Sequence, residues 1–291
     1  MNRLQVGYCH VLNPFGGQVY RVSLEPDQVI ALAFWTRNPA PMFRHLDRLD
    51  ALGYAYFFNQ TVTNYPTGFE SHNPSLQASI TAFQRLATRL SPWRVQWRYD
   101  PIILSSATPP AWHLEQAETI ARALQGFTDH CTFSFVDYYG KTRRNLGLVS
   151  RQLGVQFYNP SLEEQRELAG KLAQTISRYG ISLFTCCNDL LIGERVQKNH
   201  CIDIDIVRRL SPNLETYPAP KPTRKDCGCL ASVDIGVYDT CLFGCTYCYA
   251  TNNRQAALKR KASHDPSDSL LWRPPDLTGR DLEEIAVPLK H

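Results

Sequence analysis

Two kinds of apolar pattern alternate along most of the chain. Short blocks rich in β-branched and aromatic residues read as buried strands: IALAFWT (30–36), YAYFFNQTVT (54–63), RVQWRYD (94–100), CTFSFVDYY (131–139), ISLFTC (181–186) and a short SVDIG (232–236). Between them, apolar residues recur with helical spacing near 41–53, over 74–90, near 111–126, over 161–180 and near 204–211. Pro41 opens the first of these helices and Gly53 stops it. Six β-then-α units in series predict parallel strands joined by right-handed crossovers. Strands as apolar as IALAFWT suit a sheet covered by helices. No strand is followed by GxGxxG or by a phosphate loop ending in GK[ST]. The expected fold is therefore α/β, a partial or closed (β/α) barrel of TIM type, with a doubly wound open sheet as the alternative.

One barrel domain is expected over 1–291. The Pro-rich segment SPNLETYPAPKPTRKD (211–226) opens an irregular, cysteine-bearing loop (211–231) that would lie over the barrel mouth. A cluster-binding loop and the helix after it follow at 237–262. Polar residues gather where strands end: Thr36, Arg37 and Asn38; Asn59, Gln60 and Thr61; Arg98 and Asp100; Asp137 and Lys141; Cys186. In a parallel barrel these ends face one mouth, where chemistry is housed. The net charge of +4 is too mild to call for a polyanionic partner, and the run Lys259, Arg260, Lys261 reads as a solvated helix end. Without a secretory leader or a bilayer-length apolar run, a cytoplasmic protein with no membrane contact is expected.

A reducing compartment changes the reading of the ten cysteines, because disulfides are disfavoured there and clusters point to metal or catalysis. Cys9 and Cys131 stand alone and read as buried thiols. The other eight crowd the last third of the chain. Cys241, Cys245 and Cys248 form C-x3-C-x2-C, with Tyr247 before the last. A C-x3-C step lets a loop wrap three corners of a [4Fe–4S] cubane, leaving one iron for S-adenosylmethionine to chelate. Zinc sites more often pair C-x2-C knuckles and close with four protein ligands.

This motif resembles that of the radical S-adenosylmethionine (radical SAM) superfamily. There it usually follows the first strand, so the resemblance implies a circularly permuted order, with the cysteine loop after the last strand and beside the first in space. The superfamily's Gly-Gly-Glu segment is not visible. Over almost the whole chain, the phrases NRLQVGYCHVLNPF, FWTRNP, NQTVTNY, WRYDPII, SFVDYYGK, CGCLASVDIGVYDTC and CTYCYATN are similar to the family called domain of unknown function 1848. Members generally carry a further segment ahead of the equivalent of Asn2, which implies a shortened chain here. The resemblance implies a 5′-deoxyadenosyl radical acting on an unknown substrate, and a cellular electron donor. The motif region is also similar to spore photoproduct lyase, which is compatible with a nucleic-acid substrate.

Cys186, Cys201, Cys227 and Cys229 supply four more thiolates, enough for an auxiliary [4Fe–4S] cluster or for a zinc staple. Strand alternation would let only one of Cys186 and the adjacent Cys187 face that site. Arg98 is expected to clamp the methionine carboxylate and Asp100 to bind ribose or order the arginine, against a plain buried ion pair. Gln60, Asp137 and Lys141 are candidates for substrate contact. Besides the radical enzyme, two readings remain at this point: a non-catalytic metal protein and an electron-transfer protein.

Overall fold

The chain is described from a computed structural model over residues 1–289. In chain order its strands are β1 (Tyr8–Leu12), β2 (Val19–Ser23), β3 (Leu32–Thr36), β4 (Tyr56–Thr61), β5 (Val95–Ile102), β6 (His130–Phe135), β7 (Ser182–Thr185), β8 (Val196–Lys198) and β9 (Val287–Pro288). Its α-helices are α1 (Asn2–Val6), α2 (Leu46–Ala51), α3 (Leu76–Leu90), α4 (Pro110–Leu124), α5 (Gly140–Leu153), α6 (Leu162–Ser177), α7 (Ile204–Leu210), α8 (Arg254–Ala262) and α9 (Leu282–Ile285).

Strands β3 to β8 form one sheet in sequence order, each parallel to the last. Sequential order with right-handed crossovers puts the connecting helices on one face. The core follows from that. Tyr56 and Phe58 of β4, Trp97 and Tyr99 of β5 and Phe133 of β6 pack with Phe83 and Leu86 of α3, Ile120 of α4 and Leu172 of α6 in one buried cluster. Helix α3 is typical: Ser75 caps it by accepting from the Ala78 N–H, and Ile80, Phe83, Leu86, Ala87 and Leu90 repeat at three- and four-residue steps on its buried face. Each large side chain so buried contributes roughly 1.5–3 kcal/mol.

The sheet is open, with β3 and β8 as its edges, which corrects the closed barrel. Eight strands close a barrel of this kind, and here six are present, the last only three residues long. SVDIG is not a strand either: the Asp234 carboxylate accepts the Gly236 N–H at 2.8 Å, a local turn that competes with pairing. The cysteine loop therefore follows irregular chain, not a last strand. Helix α5 was hidden by two glycines and four basic residues, yet Thr142, Leu146 and Val149 form its buried edge. The first hairpin, β1 with β2, makes a second small sheet with β9, which runs parallel to β2.

Candidate functional site

In a parallel sheet all C-terminal strand ends lie on one side, and the polar residues noted in the sequence converge there. At the β3 and β4 ends, Arg37 pairs with Glu70 at 2.9 Å and donates to Thr63 Oγ1 at 3.0 Å. Thr63 in turn donates to both Glu70 oxygens, at 3.0 and 3.1 Å. The Tyr247 hydroxyl donates to Glu70 and accepts from Arg37. Arg37 and Glu70 are nearly withdrawn from solvent, so the pair is strongly coupled. Arg37 is held charged by its anionic neighbours although burial opposes it.

This network anchors the C-x3-C-x2-C loop. Tyr247 is buried beneath it with Tyr65, Phe69, Ile103 and Val136, while Cys241 is exposed and Cys245 and Cys248 are half-buried. Backbone bonds fasten both sides: His72 N–H to Phe243 O at 3.1 Å and Thr246 N–H to Phe69 O at 3.0 Å. Gly244 adopts φ +71, the left-handed conformation that turns the chain between Cys241 and Cys245. At the loop's base Asp239 N–H donates to Ala250 O at 2.9 Å, and the Asp239 carboxylate accepts from the backbone and side-chain N–H groups of Asn252. Burial pushes the Cys245 thiol up to about 11, against the pull of Arg37. Burial also raises Cys241, and the charges of neighbouring thiolates add to the rise at both.

A second cluster sits at the β7 and β8 ends. Cys186 follows β7, and its sulfur lies 3.7 Å from that of Cys201, which follows β8. The Cys201 N–H donates to Cys229 Sγ at 3.1 Å. The segment carrying Cys227 and Cys229 is pinned by Leu230 N–H to Ile202 O at 3.1 Å and Lys221 N–H to Cys229 O at 3.0 Å. Donors surround the sulfurs. Arg98 Nη1 and Asn199 Nδ2 each lie 3.1 Å from Cys201 Sγ, and Arg224 Nη2 lies 3.4 Å from Cys186 Sγ. The hydrogen bond from Cys201 lowers the Cys229 thiol pKa although burial opposes it. Cys187 takes φ +53, which breaks the strand alternation and brings its sulfur to 3.7 Å from Cys186; both thiols of the pair face this region, contrary to expectation. Among the described residues, no three His, Cys, Asp or Glu side chains already converge as a finished ion site.

The remaining expected site residues fall as follows. Arg98 is buried on β5, with Nη2 on Asp100 at 2.6 Å and Nη1 on Cys201, so both ends of the guanidinium are engaged within the chain. Asp100 also accepts from Ser134 at 3.4 Å. Gln60 is fully buried and donates to Ser79 O on α3; its side chain is turned to the helix layer, away from Arg98. Asp137 lies 3.9 Å from Arg224, and Lys141 donates to Tyr249 O, beside Cys248, at 3.0 Å. A polar cleft of 240 Å³ opens beside the second cluster, lined among others by Ser134, Asp137, Cys186, Cys187 and Arg224. Arg260 is not merely solvated: it stacks 3.9 Å over the Trp272 ring and lies 3.7 Å from Asp239.

Glu70, Arg224 and Asp239 escaped the sequence reading. For Glu70 a signal existed, since it is the sole Asp, Glu, Lys or Arg between Asp50 and Arg85. A lone acid in a long stretch without other charged residues invites a search for its partner.

Fold and site together define an α/β protein whose open parallel sheet carries two cysteine clusters at one end. The family described as "Domain of unknown function (DUF1848)" matches residues 1–250, and the chain belongs to that family. Among curated proteins nothing matches. A solved structure similar to part of the chain is the TTHB071 protein from Thermus thermophilus, described as soaked with ZnCl2. It is 16% identical, and the match covers 54% of this chain and 55% of that one with a TM-score of 0.31. The chain thus spans about half of that protein, and so loose a likeness carries no argument. No helix among the described residues is long and apolar enough to cross a membrane.

Proposed function

We propose that the chain is a radical SAM enzyme of unknown substrate, with a [4Fe–4S] cluster on Cys241, Cys245 and Cys248. The observation that supports this best is the seating of the C-x3-C-x2-C loop. Tyr247, Glu70 and Arg37 clamp it against the ends of β3 and β4, the first strands of an incomplete, barrel-like sheet, with its thiols left accessible. The donor set fits a cubane. Cys241 senses the charge of Cys248, and Cys245 that of both others, yet no sulfur–sulfur contact joins the three among the described residues, as expected of ligands capping separate irons. A cluster held by Cys241, Cys245 and Cys248 would, once reduced by a cellular electron donor, supply the electron for cleavage of the S-adenosylmethionine sulfonium to methionine and a 5′-deoxyadenosyl radical.

The chain's own residues do the rest. Tyr247, buried, holds the loop from below, and Arg37 offsets negative charge on Cys245. Asp239 and Asn252 close the loop at its base. Asp137, exposed, and Lys141, half-buried at the same end of the sheet, are the substrate contacts of this reading. Arg98, engaged with Asp100 and Cys201, serves to order that end rather than to grip the methionine carboxylate.

The test is anaerobic reconstitution, with iron and sulfide counted, followed by dithionite and S-adenosylmethionine. About four irons lost together in Cys241→Ala, Cys245→Ala, Cys248→Ala, with 5′-deoxyadenosine formed only by the native chain, is the expected result. Iron without nucleoside would leave an electron-transfer protein. No iron on this loop would leave a non-catalytic one.

A further inference from the structure

The two cysteine groups differ in a way that bears on what each holds. Zinc bonds four thiolates tetrahedrally at about 2.3 Å, which makes every edge of the tetrahedron about 3.8 Å. The Cys186 and Cys201 sulfurs stand 3.7 Å apart, at that edge length. The Cys201 N–H reaches Cys229 Sγ at 3.1 Å, and Cys227 stands two residues before Cys229 on the same turn. Cys186 and Cys201 therefore touch, with Cys229 held on the Cys201 backbone, whereas a cubane, capping each iron with a different thiolate, holds its ligands beyond sulfur contact. The first loop has the wider spacing and the second group the tighter one.

The surroundings point the same way. All four sulfurs receive donors: Arg98 and Asn199 on Cys201, Arg224 on Cys186, the Cys201 N–H on Cys229, and Thr223 on Cys227 at 3.7 Å. A thiol is a poor acceptor and a thiolate a good one, so this many donors suit charged sulfur. Two guanidinium groups beside the cluster offset the excess negative charge of four thiolates around a divalent ion. Asn199 is itself oriented, its Oδ1 accepting from Thr132 at 3.0 Å. The C-G-C turn is built for close approach: a Cβ on Gly228 would come within 2.8 Å of His200 Nε2.

We propose that Cys186, Cys201, Cys227 and Cys229 form a four-thiolate site for one zinc ion, which staples the irregular segment around 214–231 to the ends of β7 and β8. Here the ion is structural. It replaces the secondary structure that this segment lacks and holds Arg224 at the rim of the 240 Å³ cleft. Cys187 is the spare thiol facing that cleft. The site stands independently of the radical reading for the first loop.

The test uses the full chain produced with both iron and zinc in the medium, together with Cys241→Ala, Cys245→Ala, Cys248→Ala combined. About one zinc per chain, kept by this variant and by Cys187→Ala but lost from Cys201→Ser with Cys229→Ser, is expected. Zinc reports this site and iron the other, so the two readings fail separately. Should a variant not fold, zinc-edge X-ray absorption on the native chain decides, with four sulfurs at about 2.3 Å as the supporting shell. About four irons with sulfide retained by the triple variant would overturn the proposal in favour of an auxiliary cluster. A disulfide joining Cys186 to Cys201, a shell of nitrogen and oxygen, or no metal at all would overturn it outright.

Discussion

The Tyr247 hydroxyl donates to Glu70, a residue 177 positions earlier in the chain, and the Arg37 guanidinium holds both. Three distant segments thus meet under the cysteine loop. Removing the carboxylate strands a buried guanidinium. Glu70→Ala should cost about 3–5 kcal/mol and lower the thermal midpoint by roughly 10 °C, and it should release the loop. Tyr247→Phe, which keeps the Arg37–Glu70 pair, should cost only about 1–2 kcal/mol. Thermal denaturation of both variants beside the native chain measures the difference, and equal losses would show that the ion pair is not the anchor.

Asp239 closes the same loop without touching its cysteines. It takes φ +57 and accepts from Asn252 twice. Asp239→Ala should leave the thermal midpoint close to native while iron leaves the reconstituted chain about 10-fold faster under a chelator, the usual scale for groups that orient ligands. An unchanged rate of iron release would remove Asp239 from that role.

His113 gives the fold an acid limb. Its ring is buried, Nε2–H donating to Ile103 O at 3.1 Å and Nδ1 accepting from the Tyr99 hydroxyl at 3.0 Å, the neutral form. Burial holds its pKa down to about 4, against 6.5 for a free imidazole. Below pH 6.5 the unfolded chain therefore takes up a proton that the folded chain refuses. Stability contributed at neutral pH falls as pH drops from 6.5 to about 4, then levels, with a slope of about 1.4 kcal/mol per pH unit for this one proton. Urea titrations of His113→Gln should show a shallower fall across that window than the native chain.

Phe83 on α3 is fully buried against the sheet, so Phe83→Ala should cost about 3–5 kcal/mol, read as a lower urea midpoint. A loss below about 1 kcal/mol would mean that α3 does not pack there.

Much of the parallel sheet was legible because its strands are apolar in blocks and its helices repeat at three and four residues, signals that each segment carries within itself. Helices α3 and α6 start within two residues of the expected positions 74 and 161. The exceptions are instructive. Helix α5 has few apolar positions to declare it, the three-residue β8 is too short to show a period, and SVDIG has a strand-like composition that a single Asp234 turn overrides.

By itself the sequence determined the class of fold and the eight clustered cysteines, because composition and local periodicity act over a few residues. Only the tertiary structure decided that the sheet stays open, that Gln60 faces the helices and that Arg98 reaches Cys201 rather than open space. It also decided which thiols touch. Those outcomes depend on side chains brought together across tens to hundreds of residues, where charge, burial and sulfur contact are set by the packed chain and leave no spacing in the sequence to read.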